Sequence, residues 1–287
     1  GKTTGFAIDP IEKKPLNHFY PGTRVLSFGT IGCNLNCRFC QNWHISKCKD
    51  DSLLSTNATP MQIAEAAQKQ GCRSVAFTYN DPVPSLEYYV DIAQACRENK
   101  IAMVAVSAGY ISSSPATEFF QCTDAVNIDL KAFSDDFYRR LAGASLQPVL
   151  DTLCYVANET DAWLEITTLL IPGENDSERE IDAMTCWIFE HLGPHVPVSF
   201  SAFRPAWKMQ DHKPTRANTL LRAREIGLAN GLRYVYTGNI VSPETTTTFC
   251  HGCGKKIIER SGYSVNISGL DGKGRCIHSN TPIPGRY

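Results

Sequence analysis

The sequence predicts an α/β protein built around a partial (β/α) barrel, and three observations predict it. Short apolar runs rich in β-branched and aromatic residues recur along the chain, segments with helical start signals separate them, and polar residues gather where the runs end. The 287 residues are 43% hydrophobic and 20% charged, the balance of one large or two modest globular domains.

The runs are VLSFGTIG (25–32), SVAFTYN (74–80), AMVAVSAG (102–109), AVNIDLK (125–131), WLEITTLLIP (163–172), VPVSFSAF (196–203) and RYVYTGNI (233–240). Most are nearly continuously apolar, as parallel strands covered on both faces must be. Among the helices, TPMQ (59–62) offers Thr59 as N-cap, Pro60 in the first turn and Gln62 as the return partner. SERE (177–180) has the capping-box pattern and leads into a helix that stops at Gly193. Further helices fit 86–99, 146–158 and 219–231. Six or seven βα units in series imply a parallel sheet with right-handed crossovers.

A doubly wound sheet shares that pattern, but no Gly-x-Gly-x-x-Gly follows a strand, which removes the main support for its nucleotide-binding version. In a barrel, functional side chains collect at the C-terminal ends of the strands. Those ends carry Gly32 to Cys40, Asn80 and Asp81, Ser107, Asp129 and Lys131, and Arg204. The expected division is an N-terminal extension (1–23), the barrel (24–241) and a cysteine-containing, ribbon-like tail (242–287).

Lys and Arg (28) nearly balance Asp and Glu (29), so the net charge of −1 points to no polyanionic partner, neither nucleic acid nor anionic membrane. No stretch approaches the roughly 20 apolar residues that span a bilayer, and no secretory pattern opens the chain. Of twelve cysteines, Cys48, Cys72, Cys96, Cys122, Cys154 and Cys186 are scattered singly, and the other six form two groups. Clustering of this kind favours metal ligation in a reducing compartment over disulfides, so a cytoplasmic location is expected.

The first group lies in GCNLNCRFCQNW (32–43), directly after the first strand. Thiolates of Cys33, Cys37 and Cys40 at spacings of four and three can wrap one corner of a cubane cluster and leave one iron without a protein ligand. Electron-transfer clusters take a fourth cysteine, whereas an open coordination place is what makes a metal centre catalytic. Two other outcomes stay open on spacing alone: His44 or Cys48 completing a structural zinc site, or three reduced, buried thiols. The second group is CHGC (250–253) followed by RCIHSN (275–280). A zinc ribbon needs Cys-x2-Cys twice, and here the fourth place is Ser279, a poor ligand. Cys250, Cys253 and Cys276 with His278, or His251 in its stead, make the candidate zinc set; otherwise the tail survives by packing.

Cys33-x3-Cys37-x-Phe39-Cys40 resembles the signature of the radical S-adenosylmethionine (SAM) enzymes. DPIEKKPLNHFYPG (9–22), TYNDP (78–82), NIDLKAFSDDFYR (127–139), LIPGENDSE (170–178) and LRYVYTGN (232–239) look like the radical enzyme of the AmmeMemoRadiSam system, a group similar to pyruvate formate-lyase activating enzymes. The resemblance covers essentially the whole chain. It implies a (β/α)6-type radical SAM barrel and a [4Fe-4S] cluster on Cys33, Cys37 and Cys40, with S-adenosylmethionine on the fourth iron. Reductive cleavage would then give a 5′-deoxyadenosyl radical that takes hydrogen from an undetermined small-molecule or protein substrate.

The resemblance also implies a low-potential electron donor of flavodoxin or ferredoxin type, and Memo-type and AMMECR1-type partners. It places Phe39 near the adenine. Asn80 and Asp81 stand where relatives hold the methionyl amine, with Asp81 one methylene shorter than the usual Glu. Ser107 stands near the ribose, with Ala108 replacing the usual Asn, and Asp129 and Lys131 lie around the methionine carboxylate. A glycyl-radical activase is the alternative within this class. An electron-transfer protein would hold the cluster without cleaving the cofactor, and a zinc-stapled interaction module would hold no iron. Lys13, Lys14 and His18, in the long N-terminal match, receive no role from the sequence.

Overall fold

A computed structural model describes residues 1–48 and 55–287. Its centre is a sheet of eight strands: β1 (Phe6–Pro10), β2 (Arg24–Phe28), β3 (Ser74–Phe77), β4 (Ala102–Ser107), β5 (Ala125–Asp129), β6 (Trp163–Leu170), β7 (Val198–Ala202) and β8 (Val235–Gly238). Strands β2 to β8 are parallel and lie side by side in sequence order, and β1 joins β2 antiparallel at the edge. An order that never reverses has no switch point. Successive right-handed crossovers therefore put all the helices on one face, as in a barrel rather than a doubly wound sheet. The expected α/β barrel architecture is borne out, with seven parallel strands.

All seven strands expected from the sequence form, each shorter than its run. The added strand is Phe6–Pro10, within the stretch expected to be an extension. Helices α1 (Pro60–Lys69), α2 (Leu86–Glu98), α3 (Ser113–Gln121), α4 (Gln147–Glu159), α5 (Glu178–Leu192) and α6 (Ala217–Ala229) fill the crossovers. At α1 the capping box is complete, with Thr59 and Gln62 each serving the other's backbone N–H. At α5 it is half made. Ser177 caps Glu180 N–H, but the Glu180 carboxylate leaves the helix to accept from Phe133 N–H at 2.7 Å.

The two faces of the sheet differ in chemistry because strand side chains alternate. Val75 and Phe77, Met103 and Ala105, Val126 and Ile128, and Leu164 and Ile166 pack in the large core with the helices. Their neighbours along the strands include Val25, Ala76, Val104 and Ala125, and these meet Ile11, Leu16 and Phe19 of the N-terminal segment in a second core. The same face carries buried polar groups, among them Asn127 and Glu165. Glu165 accepts from the N–H groups of Asn17 and His18 at 2.7 Å each and from Trp163 Nε1 at 3.0 Å. A charged residue inside an apolar strand is thereby accounted for: it fastens the chain's beginning to the barrel interior.

The tail adds a small sheet of Thr248–Phe249, Lys256–Ser261 and Ser264–Asn266. Arg260, almost wholly buried, donates to the Asn17 carbonyl at 2.6 Å. His18 donates from Nδ1 to the Pro284 carbonyl at 2.7 Å and takes Tyr236 OH on Nε2 at 2.6 Å, so it is the neutral Nδ1–H tautomer. Burial pushes its pKa down to about 3.

Candidate metal and cofactor site

At the C-terminal ends of the strands lies a cavity of ≈ 320 Å³. It brings together Cys33, Cys37, Cys40, Phe39, Asn80, Asp81, Ser107, Asp129 and Lys131, every residue expected at a cluster or cofactor from the first part of the chain. These residues come from four separate strand ends, as barrel chemistry requires.

The cysteine loop is held by backbone bonds that the sequence does not announce. The segment Asp135–Ala142 ends as a π-helix at Gly143, whose φ is 68°. Its terminal carbonyls remain available, and Ala142 and Leu141 accept from the N–H groups of Asn36 and Arg38 at 2.7 and 2.8 Å. A Cβ at Gly143 would come within 2.9 Å of Asn36 Cβ, so only glycine allows this approach. Asn42 Nδ2 adds a bond to the Tyr79 carbonyl at 2.8 Å.

Burial pushes the Cys33 thiol up and the Cys37 thiol up to about 11, so binding a metal must displace their protons. Among the described residues only the tail brings three metal-ligating atoms within 4.8 Å of one another. Cys33, Cys37 and Cys40 do not form such a three-ligand group among the described residues. Three thiols lining one open cavity suit a polynuclear cluster, in which each sulfur would meet a different iron.

Lys131 Nζ lies 3.0 Å from Asp129 Oδ2 and 6.0 Å from the Phe39 ring centre. Burial works against its charge, but Asp129 and the nearby Cys37 sulfur outweigh that and raise its pKa. Phe39 itself is buried against Phe137. Asp81 and Ser107 are bonded to each other: Ser107 Oγ donates to the carboxylate at 3.2 Å, which also accepts from Ala108 and Val83 N–H. Burial nonetheless raises the Asp81 pKa. Asn80 pins the start of the cysteine loop, accepting from Thr30 N–H and donating to the Gly32 carbonyl.

Several lining residues were not expected, chiefly Lys13, Lys14, Tyr79, Asn42 and Asn239. The lysines stood out in sequence as an unassigned pair, but their placement depends on the N-terminal segment entering the barrel. Arg204 is exposed and does not line the cavity.

In the tail, Cys253 and Cys276 sulfurs are 3.8 Å apart, and Cys250 Sγ receives the Gly252 N–H at 3.4 Å. Burial raises the Cys250 pKa, but bonds from Ser279 and the loop amides outweigh it and bring it to about 6. This triad could bind a metal. His278 and His251 are both outside it; His251 bonds Tyr234 OH instead. The atom beside Cys250 is Ser279 Oγ at 3.4 Å, at the position a ribbon's fourth cysteine would take.

Residues 28–184 match the Radical SAM superfamily. An uncharacterized protein of Methanocaldococcus jannaschii is 39% identical over 94% of this chain and 80% of its own length. The pyruvate formate-lyase 1-activating enzyme of Escherichia coli K12 is 22% identical over 72% of this chain and 89% of its own. Among solved structures, SuiB of Streptococcus suis bound to S-adenosylmethionine superposes with a TM-score of 0.57 at 17% identity, over 79% of this chain and 52% of that one, a likeness of fold alone.

Proposed function

The chain belongs to the radical SAM superfamily, and from that premise we propose an enzyme in which Cys33, Cys37 and Cys40 ligate three irons of a [4Fe-4S] cluster. The superfamily's cofactors are this cluster and S-adenosylmethionine. The observation that carries the reading is that Cys33, Cys37 and Cys40 line one cavity together with Asp81, Ser107, Asp129 and Lys131. A cluster held by Cys33, Cys37 and Cys40 would, when bound and reduced, supply an electron for cleavage of S-adenosylmethionine and so radical chemistry on a substrate. The rest is the protein's work of binding, orienting and excluding water.

Lys131, steadied by Asp129, offers a positive charge to the methionine carboxylate. Asp81 retains acceptor capacity for the methionyl ammonium. Ser107 spends its hydrogen on Asp81 and acts by aiming that carboxylate. Phe39 packs behind Lys131 and closes the wall on the adenine side. Asn80 fixes the loop that carries Cys33. We assign the radical chemistry to residues 24–241, with 1–23 and 242–287 as extension and tail.

The quoted motifs support membership of the AmmeMemoRadiSam group, with Memo-type and AMMECR1-type partners, a flavodoxin- or ferredoxin-type donor and a cytoplasmic setting. No helix among the described residues is long and apolar enough to cross a membrane. Similarity to the Escherichia coli activating enzyme favours a second reading, a glycyl-radical activase; a glycyl radical signal on mixing with a candidate partner would support it. The primary test is anaerobic reconstitution, reduction and addition of S-adenosylmethionine. The expected product is 5′-deoxyadenosine, and an iron-loaded protein that never forms it refutes the proposal.

A further inference from the structure

We infer that Lys13 and Lys14 form an anion-anchoring subsite in the cavity, so that the substrate is a small molecule held there by a carboxylate or phosphate group. This rests on the reading of the cavity as the place of radical chemistry. Both lysines line it together with the three cysteines.

Lys14 is only 2% exposed, yet its Nζ makes one hydrogen bond, to Asp9 Oδ2 at 2.8 Å. An ammonium carries three N–H donors, so two are left without a protein acceptor inside the barrel. Buried cations are costly unless their donors are used. Asp9 cannot absorb the remainder. Its other oxygen takes Lys13 Nζ at 2.8 Å, and Tyr79 OH donates to Oδ2 at 3.2 Å. Two ammoniums share one carboxylate, which leaves a net positive charge at this end. Burial opposes the Asp9 charge, but the two lysines hold its carboxyl far below the usual range, so it stays ionised as their common support.

The geometry also says how an anion bound here would face the chemistry. Pro10 pairs with Arg24 at the start of β2, so the lysines enter from the starts of the strands, whereas the cysteine loop follows their ends. Tyr79 spans the two. Its ring lies 4.8 Å from Lys14 Nζ, while its carbonyl holds Asn42 of the cysteine loop. Its backbone is left-handed at φ 74°, a conformation tyrosine seldom takes and which fixes both contacts at once. A substrate gripped at its anionic end by Lys14 would extend toward the thiol wall, with its reacting carbon remote from the charge.

The test uses the reconstituted protein loaded with S-adenosylmethionine, titrated calorimetrically with malonate, inorganic phosphate and the neutral malonamide. Wild type should bind malonate or phosphate and ignore malonamide, and which anion binds tighter names the group. Lys14→Met should weaken that binding by about 10- to 100-fold, the range for one buried charge-assisted bond. The double variant D9N/K14M removes the pair together without changing net charge, so it guards against misfolding and against a merely long-range effect. Its cluster absorbance verifies that it is intact. Equal anion affinity in wild type and Lys14→Met, or no anion binding by wild type, overturns the inference. Formation of 5′-deoxyadenosine by wild type is read separately. Its failure removes the radical reading while leaving a Lys14-dependent anion site standing.

Discussion

The two ends of the barrel each carry three cysteines, and they are built for opposite purposes. At the C-terminal end Cys33, Cys37 and Cys40 line a cavity, on a loop held by backbone bonds from elsewhere in the fold. At the other end Cys250, Cys253 and Cys276 converge within 4.8 Å and are flanked by Ser279. Cysteine spacing in sequence separates the two only weakly; the surroundings separate them decisively. A set that faces a cavity invites an exogenous ligand, whereas a set closed on itself staples the chain.

The sharpest way to break this contrast is to remove one sulfur from each end. Cys37→Ser should lose essentially all cluster absorbance and 5′-deoxyadenosine while keeping any tail metal. Cys253→Ser should keep both and lose the tail metal, as read by elemental analysis. If either substitution empties both ends, the two sites are not independent.

A second effect concerns the stapled end. If the triad holds a metal, its loss should lower Tm by about 2–4 °C per kcal/mol of stability lost, and should expose the Asn17 and His18 amides to hydrogen exchange, because Arg260 secures that segment. Ser279→Cys, which completes the set, should make the tail hold metal against a chelator that strips the wild type. No gain in retention would show that Ser279 does not face the metal.

Buried charge at this end predicts a pH signature on the order of a few kcal/mol, at about 1.4 kcal/mol per unit of pKa displacement. Burial raises the Glu165 pKa from 4.5 to about 7 against three hydrogen-bond donors. Its contribution is complete below pH 4.5 and is lost as pH rises through 7. His18 is depressed from 6.5 to about 3, so its contribution is present above 6.5 and is lost as pH falls toward 3. The two slopes oppose each other between pH 4.5 and 6.5. In denaturant midpoints from pH 4 to 8, Glu165→Gln should leave only the acid-side loss, and His18→Gln only the loss on rising from 4.5 to 7. Smallest of all, Thr59→Ala at the α1 cap, remote from both ends, should cost about 1 kcal/mol and leave both metals alone.

The strands, the complete cap at Thr59 and the cysteine loop were legible because each is a local pattern. The strand Phe6–Pro10 was not: FAIDP neither alternates nor runs apolar, and it is strand only by pairing with β2. The α5 cap was half legible, since nothing local says that Phe133 will claim Glu180. His278 was expected in the tail set because imidazole is the better ligand, but backbone register brings its neighbour Ser279 to the sulfurs. Glu165 was visible as a charge in an apolar run, a signal that a buried partner exists without saying which. Lys13 and Lys14 were visible too, yet their meaning depended on long-range placement that no window of sequence contains.

One bond carries a consequence for how this molecule is made. Arg260 reaches back 243 positions to the Asn17 carbonyl, while the barrel strands pair only with their immediate successors. During synthesis each βα unit can dock on the one before it, and Glu165 can take the Asn17 and His18 amides early, but the Arg260 bond to Asn17 can form only after residue 260 has emerged. A nascent chain stalled short of residue 260 would thus carry its cysteine loop and its lysines while the Asn17 carbonyl still lacks its last partner.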